Sequence, residues 1–123
     1  MNKFRQVAQR VSDVGRAVEF YRGLLGAEPL AVFDPPGFAF FDVDGVRLFL
    51  DPNAPSALLY LGVDDVRQTI EQLRAKGHKI HTEPHVVFPD DEGVFDVPGN
   101  EWLAFIEDSE GNLVGLMSRE KAS

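Results

Sequence analysis

The chain has 123 residues, of which 44% are hydrophobic and 26% are charged, with no cysteine and a formal net charge of −8. This size and composition fit one soluble globular domain, or two small half-domains that share a core. The charge argues against general binding to nucleic acid or anionic membranes, and the lack of cysteine excludes disulfides and thiolate chemistry. No apolar run has the length of a membrane span or of a signal peptide, so we expect a cytoplasmic protein.

One stretch of the first half recurs in the second half. The segment VSDVGRAVEFYRGLLG begins at Val11 and VDDVRQTIEQLRAKG begins at Val63, an offset of 52 positions at which several residues agree in type. A strand-like run precedes each copy and a β-rich region follows it. An internal repeat of about 50 residues indicates a chain built from two similar units.

In the first half, residues 4–11 alternate between apolar and polar side chains, which predicts a strand with one face on a core. Ser12 and Asp13 offer N-cap oxygens, apolar residues then recur at helical spacing, and Gly26 provides a stop. These signals predict an amphipathic helix. After it we predict a short strand, a turn, and a hairpin whose strands join at Asp44 and Gly45, over residues 30–33, 34–37, 38–43 and 46–50.

The second half repeats this order. It predicts a strand over residues 58–63, a helix over 65–76 and strands over 79–87, 102–107 and 113–117, with a long loop at 88–100 and a frayed tail at 118–123. The fold class is therefore α+β, with two β-α-β-β-β modules. Module one covers about residues 4–51, a turn-rich connector covers 51–56, and module two covers about 57–118.

The two helix motifs, together with FIEDSEGNL before the last strand, carry a family resemblance. A doubled β-α-β-β-β unit with these motifs resembles the vicinal oxygen chelate superfamily, which includes glyoxalase I, bleomycin-resistance proteins and extradiol dioxygenases. The resemblance implies that the modules form one cupped mixed sheet with pseudo-twofold symmetry, that a ligand site lies in the cup, and that the protein is a homodimer.

The resemblance also implies four metal-ligand positions, on the first and last strands of each module. They fall on Gln6, Leu58, Phe49 and Gly115, of which only Gln6 is a ligand-type residue. A divalent ion needs at least three protein donors, so we expect no metal and no other cofactor. Gln6 and Arg10 do match the spacing with which some glyoxalase I enzymes bind a metal and glutathione. They also fit a polar group in the cup and a surface cation.

Several other residues are candidate ligand contacts. Phe49 and Gly115 lie opposite the apolar faces of their strands and therefore face the cup, as Arg47 does by the same parity, where it would suit an anionic ligand. An exposed arginine without a role fits as well. Aromatic residues that offer stacking surfaces, or else belong to a core, are Phe38, Phe40, Tyr60 and Trp102.

The three histidines do not form a metal site by sequence. His81 and His85 lie about 13 Å apart on an extended strand, at about 3.3 Å per residue. His85 is more interesting as a single group, because Glu101 lies on the other side of the predicted long loop. A histidine beside a carboxylate suits acid/base chemistry or ligand orientation, whereas a plain surface histidine is the alternative.

These observations leave three hypotheses open. The first is metal-independent binding of a small, partly apolar molecule in the cup, by Gln6, Arg10, Arg47, Phe49, Leu58, Tyr60, His85, Trp102 and Gly115. The second is a metal-dependent lyase or isomerase of glyoxalase type, or a dioxygenase-like enzyme, with a non-standard ligand set and catalysis by His85 or Glu101. The third is an interaction module whose cup is filled by its own side chains.

Overall fold

A computed structural model describes residues 1–121 of the chain. Its ten elements follow the predicted order of two β-α-β-β-β modules, which confirms the α+β fold class. They are β1 Gln6–Arg10, α1 Val14–Leu25, β2 Ala31–Phe33, β3 Phe38–Val43, β4 Val46–Asp51, β5 Leu59–Gly62, α2 Val66–Ala75, β6 Ile80–Asp90, β7 Gly99–Glu107 and β8 Leu113–Lys121. Neither helix within this part of the chain has the length and apolar character that crossing a bilayer requires.

The chain divides into two compact units. Unit 1 contains Met1–Ala57 and the turn Asp108–Asn112, and unit 2 contains Leu58–Glu107 and the chain from Leu113 onward. Each unit has a four-stranded sheet, and the strand orders correspond: β1-β4-β3-β2 in unit 1 and β5-β8-β7-β6 in unit 2. In both units the first and last strands pair in parallel and the other pairs are antiparallel.

Helix α1 of unit 1 has the boundaries that its capping residues predict. The Asp13 side chain accepts a hydrogen bond from the Arg16 backbone N–H at 3.0 Å, and Gly26 ends the helix in the left-handed region, with φ 63°. Val14, Ala17, Val18 and Tyr21 are the buried residues of this helix. They form one stripe of the helix, so the helical periodicity of the sequence marks the buried face.

The turn Asp108–Asn112 is held to α1 by polar contacts. The carboxylate of Glu110 accepts hydrogen bonds from the backbone N–H groups of Ser12 and Asp13, at 2.8 and 3.0 Å, and from Arg16 Nε at 2.7 Å. The hydrogen bond from Arg16, followed by those from the backbone, lowers the pKa of Glu110 to about 2. Below this turn, the buried Tyr21 hydroxyl donates to Asp108 Oδ2 at 2.7 Å, and burial raises the pKa of Tyr21.

Strands β3 and β4 join in the tight turn predicted at Asp44 and Gly45. Both residues have positive φ, 52° and 84°, as a two-residue hairpin with the twist of a β-ribbon requires. The corresponding hairpin of unit 2 is much longer, because β6 and β7 continue pairing to Asp90 and Gly99. The predicted loop over residues 88–100 is therefore wrong at both ends, and only residues 91–98 connect the strands.

The predicted frayed tail is also wrong for most of its length. Residues 118–121 belong to β8 and pair with residues 99–102 of β7, while residues 122 and 123 lie outside the described part of the chain. The error arose because the polar residues Ser118, Arg119 and Glu120 end the apolar run of β8. In the structure they continue the ladder because the extended β7 gives them a partner.

In each unit the helix covers one face of the sheet and the other face is left open by that helix. In unit 1, Leu48 and Leu50 of β4 are 2% and 0% exposed on the helix side, as the alternation predicts. Their counterparts in unit 2, Val114 and Leu116, are equally buried. Gln9, which interrupts the apolar face of β1, is nonetheless fully buried. We use "open face" below for the face of each sheet that lies opposite the helix.

Candidate ligand-binding site

The open face of unit 1 carries an aromatic cluster. Strand register places four phenylalanines side by side on this face, and we call them the aromatic floor: Phe33, Phe38, Phe40 and Phe49. The rings of Phe40 and Phe49 are stacked, with centroids 4.8 Å apart and planes 13° apart, and Phe38 meets both edge-on. Phe33 is 46% exposed, so the floor is accessible at its outer edge.

A polar pair borders the aromatic floor. Gln6 of β1 lies opposite Arg47 of β4, and Arg47 Nε donates to Gln6 Oε1 at 3.0 Å. The guanidinium carbon of Arg47 is 5.9 Å from the centre of the Phe40 ring. Arg47 forms no salt bridge within residues 1–121, so its terminal N–H groups remain available to an anionic partner.

Arg10 is on the same face as Gln6 but farther along β1. Its backbone N–H donates to Ser56 Oγ and its carbonyl accepts from Asn112 Nδ2, at 2.9 and 2.8 Å. These backbone contacts fix the end of the strand, and the residue is exposed. Two side chains four positions apart on a strand are separated by about 13 Å, at about 3.3 Å per residue, so Gln6 and Arg10 would contact one ligand only if it is long.

On the open face of unit 2, an aromatic ring covers Gly115. A Cβ atom at Gly115 would lie 2.7 Å from Cδ1 of Tyr60 and 3.2 Å from Cε1 of Phe105. Tyr60 and Phe105 are themselves in edge-to-face contact, with centroids 6.0 Å apart. The space that a side chain of residue 115 would need is therefore taken by the Tyr60 ring. Leu58, two residues before Tyr60, is 48% exposed.

The residues at the four family positions do not fit a divalent ion. In unit 1 the only atom at these positions that could coordinate a metal, Gln6 Oε1, accepts a hydrogen bond from Arg47. The Phe49 ring is stacked on Phe40. In unit 2 Leu58 has no donor, and the Tyr60 ring fills the space of a carboxylate at 115. Within residues 1–121, no group of three or more histidine, cysteine or acidic side chains is arranged to hold a metal. A hard ion needs several oxygen ligands, which these positions lack.

Trp102 is not on the same face as Gly115. It lies opposite Ser118, whereas Gly115 lies opposite Phe105, and residues an odd number apart on a regular strand point to opposite faces. The Trp102 ring is on the helix side, where the guanidinium carbon of Arg67 in α2 lies 4.3 Å from its centre. The sequence prediction that Trp102 belongs to the same site as Gly115 conflicts with this register. Sequence analysis did not determine which face of the sheet each residue of β7 occupies.

His85 and Glu101 have separate partners. His85 is exposed on β6, lies opposite Leu103, and its Nδ1 is 3.0 Å from the Glu83 carbonyl oxygen. Glu101 lies opposite Phe88, and its Oε2 accepts from Arg119 at 3.0 Å. Each side chain is thus held by a different group, and their joint role in acid/base chemistry stays a prediction.

A buried charge network in unit 2 was not predicted from the sequence. Asp90, fully buried, accepts a hydrogen bond from Arg119 at 2.7 Å and two more from the backbone N–H groups of Val94 and Phe95. Burial acts to raise the pKa of Asp90, but these three hydrogen bonds outweigh it and hold the pKa below its ordinary value. Asp90 belongs to the predicted long loop and Arg119 to the predicted frayed tail. The consecutive polar residues Ser118, Arg119 and Glu120 hid this continuation of β8 from sequence analysis.

Comparison with known proteins agrees with this architecture. Residues 3–116 match the family model described as Glyoxalase/Bleomycin resistance protein/Dioxygenase superfamily. A probable chloroplastic lactoylglutathione lyase of Arabidopsis thaliana is 31% identical over 131 aligned residues, which cover 92% of this chain and 35% of that protein. The chain thus spans about a third of the length of this curated relative.

Solved structures show the same fold at lower sequence identity. A lactoylglutathione lyase from Agrobacterium tumefaciens is 22% identical, with a TM-score of 0.73 and coverage of 96% of this chain and 94% of that chain. A superfamily member from Sphaerobacter thermophilus is 19% identical, with a TM-score of 0.72 and coverage of 96% and 98%. With the family model matching most of its length, the chain belongs to the glyoxalase/bleomycin resistance protein/dioxygenase superfamily, the vicinal oxygen chelate superfamily.

Proposed function

We propose that the protein binds a small, partly apolar molecule without a metal ion, and that the aromatic floor of unit 1 is the main contact surface. The observation that carries this proposal is the stacked pair of Phe40 and Phe49, bordered by Arg47 and Gln6. Of these residues, Gln6 and Phe49 fall at positions where the family resemblance implies metal ligands. A planar apolar group would lie against the rings, and an anionic substituent would meet Arg47.

The chemistry of the floor favours such a ligand over an inorganic ion. Covering apolar surface gains about 25 cal/mol for each Å² removed from water, and aromatic contacts add about 0.5–1.5 kcal/mol. Arg47 adds charge-assisted hydrogen bonds to a carboxylate, since only its Nε is used by Gln6. Because the aromatic floor offers apolar contact and Arg47 at its border offers charge-assisted hydrogen bonds, an aromatic carboxylate is the first probe.

The test uses 2-naphthoate, with binding followed by calorimetry and by protein NMR. We expect Phe49→Glu to weaken binding at least tenfold, because it places a charge in the floor and repels the carboxylate. Phe4→Glu is the matched control, since Phe4 is 83% exposed and lies outside the floor. Unchanged affinity in Phe49→Glu would move the site elsewhere, and failure of 2-naphthoate and a broader panel to bind would favour the interaction module.

A second candidate function is a metal-dependent lyase of glyoxalase type. The similarity to a probable lactoylglutathione lyase favours it, as does the Gln6 and Arg10 spacing. Metal content of the purified protein and thermal unfolding with nickel, zinc, manganese and iron(II) test this candidate, because an ion that binds only the folded state raises the midpoint. Stoichiometric metal and a midpoint rise abolished by Gln6→Ala would replace the first proposal with this one. Activity assays with hemithioacetal and catechol substrates would then be the next experiment.

We also propose a cytoplasmic homodimer with no nucleic-acid or membrane partner. The dimer rests on the family resemblance, and the lack of polyanionic partners rests on the net charge of −8. Analytical ultracentrifugation tests the assembly: a mass of one chain across the micromolar range would contradict it.

A further inference from the structure

Unit 2 contains an open cavity whose described lining residues include none from the aromatic floor. It has a volume of about 320 Å³ and lies on the open face, where the loop over residues 91–98 folds beside β7 and β8. This volume is at the lower end of the range of about 300–1,000 Å³ for small-molecule pockets. Its apolar wall consists of Val63, Phe95 and Met117, and its polar wall includes Asp96, Glu101 and Arg119.

The loop that forms one side of the cavity is fixed by hydrogen bonds to Asp90 and Arg119. The Asp90 carboxylate accepts from the backbone N–H groups of Val94 and Phe95 at 2.7 and 3.1 Å, and the Arg119 guanidinium donates to the Val97 carbonyl. Asp90 is 1% exposed, so its carboxylate is shielded from solvent. The wall that contains Phe95 and Asp96 is thus already ordered before any ligand binds, which reduces the entropic cost of binding.

The charges around the cavity select for a cation. Among the described residues that line the cavity, Arg119 is the only cationic one. Its two terminal nitrogens are engaged by Asp90 and Glu101, and its Nε is buried. Asp96 and Glu101 line the cavity together with Arg119, and the buried Asp90 pairs with the same guanidinium, so these four groups carry a net negative charge. Glu101 uses only Oε2 for Arg119 and Asp96 only Oδ1 for the Val97 backbone N–H. One oxygen of each carboxylate is therefore without a hydrogen-bond donor within residues 1–121.

We infer that this cavity binds a small organic cation, an ammonium group on a compact apolar body. The ammonium lies within reach of Glu101 and Asp96, and the body packs against Val63, Phe95 and Met117. An anionic molecule of the same shape meets two carboxylates and an arginine that is already neutralised. This site does not depend on the aromatic floor and differs from it in the sign of the charge it selects.

The experiment uses benzylammonium as the probe, with benzyl alcohol and benzoate as neutral and anionic analogues. The chain has two methionines, Met1 and Met117, so labelling the methionine methyl carbons gives one signal in the cavity and one far along the chain. We expect benzylammonium to shift the Met117 signal in a saturable way, benzyl alcohol to bind at least fivefold more weakly, and benzoate to have no effect. The Met1 signal should stay in place.

Substitutions of the lining carboxylates test which residues recognise the ammonium group. Asp96→Asn, which leaves the pairing of Arg119 intact, and Glu101→Gln should each weaken benzylammonium binding at least threefold. Asp91→Asn and Glu92→Gln are matched controls, because they remove the same charge from the same loop outside the cavity lining, and they should leave the affinity within a factor of 1.5. Retained emission of Trp102 verifies that the variants are folded.

Three results would overturn the inference. They are equal affinity for benzyl alcohol and benzylammonium, an equal loss in the control variants, and no shift of the Met117 signal at millimolar probe. The last result would do so whether or not 2-naphthoate binds to unit 1, so the two proposals fail separately.

Discussion

The two units of this chain share a topology and differ on their open faces. The strand orders β1-β4-β3-β2 and β5-β8-β7-β6 correspond strand for strand, and equivalent leucines, Leu50 and Leu116, are buried on the helix side. The open face of unit 1 carries stacked phenylalanines, whereas that of unit 2 carries an arginine with two carboxylates. The helix side therefore maintains the fold, and the open face is free to differ in chemistry.

The helix N-termini show a second difference. Helix α2 has its cap residue Asp65 and a hydrogen bond from the Val66 N–H to Ser118 Oγ at 2.9 Å. Helix α1 has its cap residue Asp13 and in addition the charge of Glu110, which lies 98 residues from Ser12. A carboxylate at a helix N-terminus is favourable for the helix dipole, so the N-terminus of α1 has the larger electrostatic stabilisation.

The largest effect should come from truncating the equivalent leucines. Leu50→Ala and Leu116→Ala each remove a side chain that is at most 2% exposed, so each should lower the free energy of unfolding by about 2–5 kcal/mol. Chemical denaturation measures both losses. Similar losses would support equal roles of the helix side in both units, and a loss below about 1 kcal/mol in either variant would contradict it.

The second largest effect should be a loss of stability in acid that arises from Glu110 in unit 1. The pKa of Glu110 falls from its ordinary value of 4.5 to about 2 on folding, so its stabilisation is complete above pH 4.5 and is lost as the pH falls towards 2. The shift corresponds to a loss on the order of 3 kcal/mol. Glu110→Gln should remove this part of the pH dependence, as measured by denaturation from pH 6 to 2.

The matched control for this measurement is Glu83→Gln. Glu83 is an exposed glutamate of unit 2 that pairs with Arg74, and exposed pairs contribute little. Its variant should follow the pH dependence of the parent protein. If Glu110→Gln does the same, the assignment of the acid sensitivity to α1 is wrong.

Glycine substitutions should show a smaller effect confined to unit 2. Gly115→Ala places a Cβ 2.7 Å from the Tyr60 ring and must displace that ring, at a cost of about 1–3 kcal/mol. Gly62→Ala is the control in the same sheet, because a Cβ there meets no atom within 4 Å. Equal stability of the two variants would show that Tyr60 does not occupy the position of a side chain at 115.

The smallest effect should come from the cation over the tryptophan. Arg67→Gln removes the guanidinium 4.3 Å from Trp102 and should cost about 0.5–1 kcal/mol, with a shift in the emission of the single tryptophan. Arg74→Gln, at an exposed ion pair of the same helix, should leave the emission unchanged. Unchanged emission in both variants would contradict the contact.

Much of the fold was predictable, because it depends on patterns between near neighbours in the chain. The helix start at Asp13, the stop at Gly26 and the turn at Asp44 and Gly45 each follow from local backbone chemistry. The superfamily followed from the repeated motif and is confirmed by the family match. The end of β8 was predicted wrongly, because its polar residues are ordered by pairing with β7 rather than by burial.

Candidate site residues were predictable only as far as strand parity extends. Parity correctly placed Phe49 opposite Leu48 and Leu50 in β4, but the face of Trp102 depended on the register between β7 and β8. The pairing of Gln6 with Arg47 likewise depends on the register of β1 and β4. Register is a relation between strands, and single-strand periodicity does not contain it.

The sequence by itself determined the doubled unit, the capped helices, the buried stripe of each element and the superfamily, because burial and capping leave patterns of a few residues. Only the tertiary structure decided that Tyr60 fills the space at Gly115, that Glu110 caps the distant helix α1, and that Asp90 and Arg119 fix the loop beside a cavity. Asp90 and Arg119 are 29 positions apart in the chain, and Ser12 and Glu110 are 98 positions apart. Contacts at such separation are created when strands pair and turns pack, so no local pattern specifies them.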